Sequence, residues 1–115
     1  MKKEFYFTVE EERLVGEKLD KLIPKSLKGY EYLKTAILIT IKNNKLEIDK
    51  VICPNIAKIY GISEVGAKMA LKRTIQVSFD RNEEEFRKFF GEDKYRNCQS
   101  ISRFIKRFVE IYYLS

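Results

Sequence analysis

Histidine and tryptophan are missing from this 115-residue chain, and proline and cysteine occur only twice each. Without histidine the commonest general base and metal ligand are gone. Cys53 and Cys98 lie far apart, in no metal-type spacing and with no second pair nearby, so free thiols in a reducing compartment are expected. No Gly-rich phosphate loop is present. Glu10 to Glu12 and Glu83 to Glu85 are runs of neighbours whose carboxylates point in different directions on a helix, which suits solvated faces better than acid–base chemistry. No catalytic residue, metal site or cofactor is therefore expected, and the chain does not read as an enzyme.

Long apolar runs are also lacking. The stretch from Ala36 to Ile41 is interrupted by Thr40 and is far too short to cross a bilayer. The charged start Met1 to Glu4 leads into a short apolar patch, Phe5 to Phe7, and then into acidic residues, unlike a signal peptide. A soluble, cytoplasmic protein without membrane contact is expected. Scarce proline favours helices.

What the chain does have is 44% hydrophobic and 35% charged residues, the mixture of a folded domain. With no repeat or linker, residues 1–115 are expected to form one domain. Thr8 to Glu11 has capping-box spacing, and Leu14, Val15, Leu19, Leu22 and Ile23 recur at helical intervals up to Pro24. A second helix is predicted from about Tyr30 to Asn43, with Leu33, Ala36, Ile37 and Thr40 inward. Lys45 to Ile52 alternates like a strand, but a lone strand has nothing to pair with, so a loop or short helical turn is expected. Pro54 opens a short helix that Gly61 ends, and Ser63 caps the next, which runs to about Phe79. Asp80 or Asn82 is expected to cap a fifth helix holding Phe86, Phe89 and Phe90, stopped by Gly91. Glu92 to Gln99 reads as an exposed loop. Ser100 or Ser102 opens a last helix with Ile101, Phe104, Ile105, Phe108, Val109 and Tyr112 on one side. These aromatic stripes fit a core better than a binding platform. The fold class is all-α, a compact bundle of about six helices.

Charge has a location as well as a sum. The formal net charge is +6, and Lys58, Lys68, Lys72 and Arg73 face only Glu64 between them. They lie within or beside Ile56 to Leu71, where Ala57 is small enough for two helices to cross and Gly61 can take the turn. Ile56, Tyr60, Ile62, Ala67, Ala70 and Leu71 fall at packing positions. The pattern describes a helix-turn-helix over about residues 54–79, whose second helix would enter a major groove; a plain helical hairpin is the competing reading. With Ala67, Ala70, Leu71, Thr74 and Ile75 inward, the outward face carries Glu64, Val65, Lys68, Met69, Lys72, Arg73 and Gln76. Ser63, Glu64, Val65, Gly66, Lys68, Met69 and Lys72 are the candidates to face DNA bases, and Lys58, Arg73 and Gln76 the candidates for phosphate. For each lysine a merely solvated face is the alternative. Glu64 suits the helix N-terminus better than a cytosine N4 contact.

Three blocks of the chain carry a likeness: Leu27 to Ile37 (LKGYEYLKTAI), Lys50 to Lys58 (KVICPNIAK) and Ala70 to Val77 (ALKRTIQV), with a weaker one at Ser102 to Ile105. In them the chain resembles the C-terminal DNA-binding effector domains of the master sporulation response regulator, stage zero sporulation protein A of endospore-forming Firmicutes. The resemblance implies a six-helix fold and a transcription regulator that binds double-stranded DNA boxes, often as adjacent copies forming a homodimer on one duplex, in the bacterial cytoplasm and nucleoid. It also implies contact with an RNA polymerase sigma factor through roughly Asp80 to Phe90, with Arg81, Glu83, Glu84 and Arg87 as the residues. Where the family carries Arg and a Glu-Arg pair on the reading face, this chain has Gly66, Lys68 and Met69. No phosphoacceptor receiver fits before Thr8, so a stand-alone effector domain is expected. The alternative is a protein-interaction module that engages polymerase or a sporulation regulator and has lost specific DNA reading.

Overall fold

Helix α1 (Val9–Leu19) starts where Thr8 and Glu11 exchange hydrogen bonds. Thr8 Oγ1 accepts from Glu11 N at 3.0 Å and Glu11 Oε1 accepts from Thr8 N at 2.8 Å. Two of the helix's orphan donors are satisfied in this way. Arg13 bridges Glu10 and Glu17 on its outer face, while Val15 and Leu19 are buried. After Leu19 the backbone tightens into turns that still place Leu22 and Ile23 in the core. These features belong to a computed structural model that describes residues 5–114. The charged start Met1 to Glu4 lies outside them.

Helix α2 (Tyr30–Asn43) buries nine of its 14 residues, Thr35 and Thr40 among them. A helix apolar on most sides belongs in the middle, and α2 packs against α1, the two helices that follow it and the last helix. The Thr40 hydroxyl is accommodated there by donating back to Ala36 O at 2.9 Å. Asn44 then turns left-handed, with φ 55°, which a short polar side chain tolerates.

The alternating segment ends as a wide helical turn, Ile48–Ile52, and not as a strand. Ile52 N reaches Glu47 O at 2.9 Å, five residues back, and Cys53 N reaches Ile48 O in the same manner. Helix α3 (Cys53–Tyr60) carries Pro54 in its first turn and stops at Gly61, whose φ of 67° glycine adopts without strain. Helix α4 (Glu64–Arg81) follows, capped by Ser63, and runs past Phe79 to Arg81.

Asp80 thus lies inside α4, and Asn82 holds the junction to α5 (Glu83–Phe90) without capping it by side chain. Its Nδ2 reaches instead to Leu22 O at 3.3 Å, tying the junction to the turn after α1. Gly91 ends α5 with φ 93°. The following segment corrects the expectation of an exposed loop: Tyr95–Gln99 winds into a tight turn that buries Tyr95 and Cys98. Tyr95 stacks on Phe79 with centroids 6.1 Å apart, and the Arg87 guanidinium lies 5.0 Å from its ring centre. Ser100 precedes helix α6 (Ile101–Leu114), its Oγ accepting from Arg103 N at 3.3 Å.

The aromatic stripes are core. Phe86 meets Phe104 at 5.8 Å and Phe79 edge-on at 5.2 Å, and Phe89 stacks on Phe108 at 5.4 Å. The architecture is all-α, six helices around one hydrophobic cluster, with no strand among the described residues. None of the described helices is long and apolar enough to cross a membrane.

Candidate nucleic-acid interface

The seating of α4 begins at Gly29, just before α2. A Cβ there would lie 1.8 Å from Thr74 Oγ1 and 3.1 Å from Ala70 O, so α4 crosses α2 in direct backbone contact. Only glycine leaves that space. The neighbouring Tyr30 is pinned in turn, its hydroxyl donating to Asp20. Helix α3 is fixed to α2 by Tyr60, whose ring meets Tyr32 at 4.8 Å and whose hydroxyl lies 2.8 Å from Thr35 Oγ1. Burial pushes the Tyr30 and Tyr60 hydroxyls above their ordinary range, and at Tyr30 the Asp20 partner adds to it.

Between α3 and α4 the turn is short. Gly61 N donates to Ala57 O, and Ile62 N reaches the same oxygen at 3.1 Å. Ser63 Oγ accepts from Gly66 N at 2.9 Å, closing the first turn of α4. A side chain at Gly66 would crowd that hydroxyl, with its Cβ 2.9 Å from Ser63 Oγ. The inward residues Ala67, Leu71, Thr74 and Ile75 are buried, and Ala70 is half-buried.

The opposite side of α4 is open. Glu64, Val65, Lys68, Met69, Lys72 and Arg73 are exposed together, Val65 by 70% and Met69 by 66%. Isolated apolar groups that open to water have no core to serve. Among the described residues no carboxylate pairs with Lys72 or Arg73. Lys68 differs: its Nζ lies 3.0 Å from Asp49 Oδ1, in the wide turn before α3. Gln76 is half-buried and donates to Gln99 Oε1 at 2.9 Å. Lys58 is exposed on α3. The structure thus brings Ser63 to Lys72 and Arg73 onto one helix, with Gln76 at the margin and held by α6's preceding turn.

A groove of about 550 Å³ runs beside α4, with Leu27, Tyr32, Ile62 and Val77 in its walls and Lys28 and Arg73 among its lining residues. Sequence reasoning missed Asp49 and Lys28, because neither belongs to the helix-turn-helix register. The charged–apolar alternation around Asp49 was the only hint at a surface role.

On α5, Glu83 and Glu84 are exposed, as is Arg81 at the end of α4. Arg87 is engaged within the chain, with its guanidinium 2.7 Å from Glu84 and 3.6 Å from Glu83 and hydrogen-bonded to Tyr95. Its Nε is 3.1 Å from Glu92 Oε2 but out of line for a hydrogen bond. Both thiols are free and buried, and burial raises that of Cys98 to about 11.

The family model described as sporulation initiation factor Spo0A C terminal matches residues 17–111. The chain belongs to that family. Spo0A C-terminal domains are DNA-binding effector domains of transcription regulation in sporulation. The match runs from within α1 into α6 and so contains the whole Gly29–α4 crossing and the outward face of α4. No solved structure matches the chain.

Proposed function

We propose that this chain is a sequence-specific duplex DNA-binding transcription regulator that places the outward face of α4 in a major groove. The observation that carries the reading is the close seating of a helix whose exposed side combines Val65, Met69, Lys72 and Arg73 in a Spo0A C-terminal domain. Met69 and Val65 suit thymine methyl groups, and Lys72 suits guanine O6 and N7. Lys68 stands one turn before Lys72 and addresses the same edge. Ser63 and Gly66 are occupied with each other and shape the helix start, while Glu64 complements its dipole. Arg73 and Lys58 hold phosphates, and Gln76 joins them once it releases Gln99. Copies on adjacent boxes would pair on one duplex, and the exposed Arg81, Glu83 and Glu84 offer an RNA polymerase sigma factor a polar surface. Arg87 braces that surface from below. The place of action is the bacterial cytoplasm, at the nucleoid.

A gel-shift series on genomic fragments over increasing salt tests the proposal. Retention at low salt that falls steeply as salt rises is expected, because bound phosphates release counterions. No retention at low salt removes it, and leaves the protein-interaction reading on the α5 surface.

A further inference from the structure

The reading face of α4 is less cationic than its sequence suggests. Among the described residues, Lys68 alone of its three cations is paired, through Asp49 Oδ1 at 3.0 Å. Both side chains are open to water, Lys68 by 53% and Asp49 by 72%, so the pair sits on the surface that would meet DNA. Asp49 reaches it from the wide turn Ile48–Ile52, whose backbone is fixed by bonds to Glu47 O and by the start of α3. The fold therefore fixes the backbone that carries the Asp49 carboxylate beside the lysine.

We propose that Asp49 is a specificity-determining residue: by pairing with Lys68 it removes that lysine from phosphate binding and leaves it as a donor to base edges. The proposal rests on the DNA-binding reading of α4. An ammonium has three N–H donors, and one carboxylate oxygen takes one of them. The remaining two can still meet guanine O6 and N7, which are uncharged acceptors. A phosphate approaching the same ammonium meets a neutralised pair, with the Asp49 charge repelling it at close range. The pair thus weakens the sequence-independent part of binding more than the part that reads bases. Arg73, which has no carboxylate partner among the described residues, keeps its full attraction for phosphate. This arrangement lets a face with few base-reading cations discriminate among duplexes while the rest of the domain supplies affinity.

The test measures affinity for a selected duplex and for random duplexes over a salt series, with the full chain, Asp49→Asn, Lys68→Gln and the double variant. Asp93→Asn, an exposed acidic position between α5 and Tyr95, is the charge-matched control. For Asp49→Asn the expected result is random-duplex affinity up by about two- to fivefold, the range of an exposed ion pair. The random-duplex salt slope should steepen by about 0.9, one freed cation. The ratio of selected to random affinity falls. In the Lys68→Gln background Asp49→Asn leaves that ratio unmoved, since any general repulsion acts on both duplexes alike. An unchanged ratio in the single variant, a parallel loss on both duplexes, or the same change of ratio without Lys68 or in Asp93→Asn would each overturn the proposal. If the unaltered chain retains no duplex at low salt, the DNA-binding reading fails and this inference with it. If it retains duplex but Asp49→Asn changes nothing, only this inference fails.

Discussion

Gly29 shows how one residue fixes the placement of α4. Its missing side chain is the space in which Thr74 and the Ala70 carbonyl sit, and both belong to α4. Thr74 is buried and β-branched and the carbonyl is backbone, so neither yields easily. Gly29→Ala is expected to lower stability by about 1–3 kcal/mol through overpacking, seen as an earlier midpoint in urea unfolding. An unchanged midpoint would mean that α4 does not cross here. The Lys-Gly-Tyr block was legible in the sequence as a pattern, but its physical reason was not, because Thr74 is distant along the chain. Lys68 is the parallel case: its partner Asp49 lies in a segment whose alternation fitted strand and turn alike.

Titration gives a second prediction at this scale. Tyr30, Tyr60 and Cys98 all have raised pKa values, chiefly through burial, from ordinary values of 10.0, 10.0 and 9.0. The unfolded chain therefore loses these protons first as pH rises, and deprotonation favours unfolding. Their contribution is intact below pH 9 and declines as pH climbs through the raised values. Stability measured by urea unfolding should fall from about pH 9 upward, and Tyr30→Phe should flatten the part of the fall above about pH 10. A flat profile would contradict the burial of these groups.

At the scale of elements, the helices whose ends carry chemical signals were legible. Thr8 caps α1, Ser63 caps α4, and Gly61 and Gly91 close α3 and α5 with positive φ. The Tyr95–Gln99 turn was not, because two buried residues in a polar stretch create no periodicity. Helices α5 and α6 are joined through rings, and Phe104 touches Phe86, Phe90 and Phe108. Phe104→Ala should reduce stability by about 3–5 kcal/mol in denaturant unfolding. A loss well under this range would mean that the two helices are held by something other than this cluster.

For the whole molecule, the net charge of +6 says little until it is placed. Acidic side chains surround Arg87 on α5, whereas Lys72 and Arg73 on α4 stand without carboxylate partners among the described residues. The outward direction of the α4 face was legible from helical periodicity, since the same residues that pack inward set which ones face out. The pairing of Lys68 with Asp49 and the tie of Gln76 to Gln99 depend on segments brought in by the fold, which periodicity within α4 does not reveal. The most direct measurement is the affinity of the chain for a selected duplex across a salt series, compared with the Lys72→Ala/Arg73→Ala double variant. Binding through α4 predicts weaker retention by the variant and a log–log salt slope shallower by about 0.9 for each cation that meets a phosphate, with folding unchanged. Identical affinity and slope in the two proteins would contradict it.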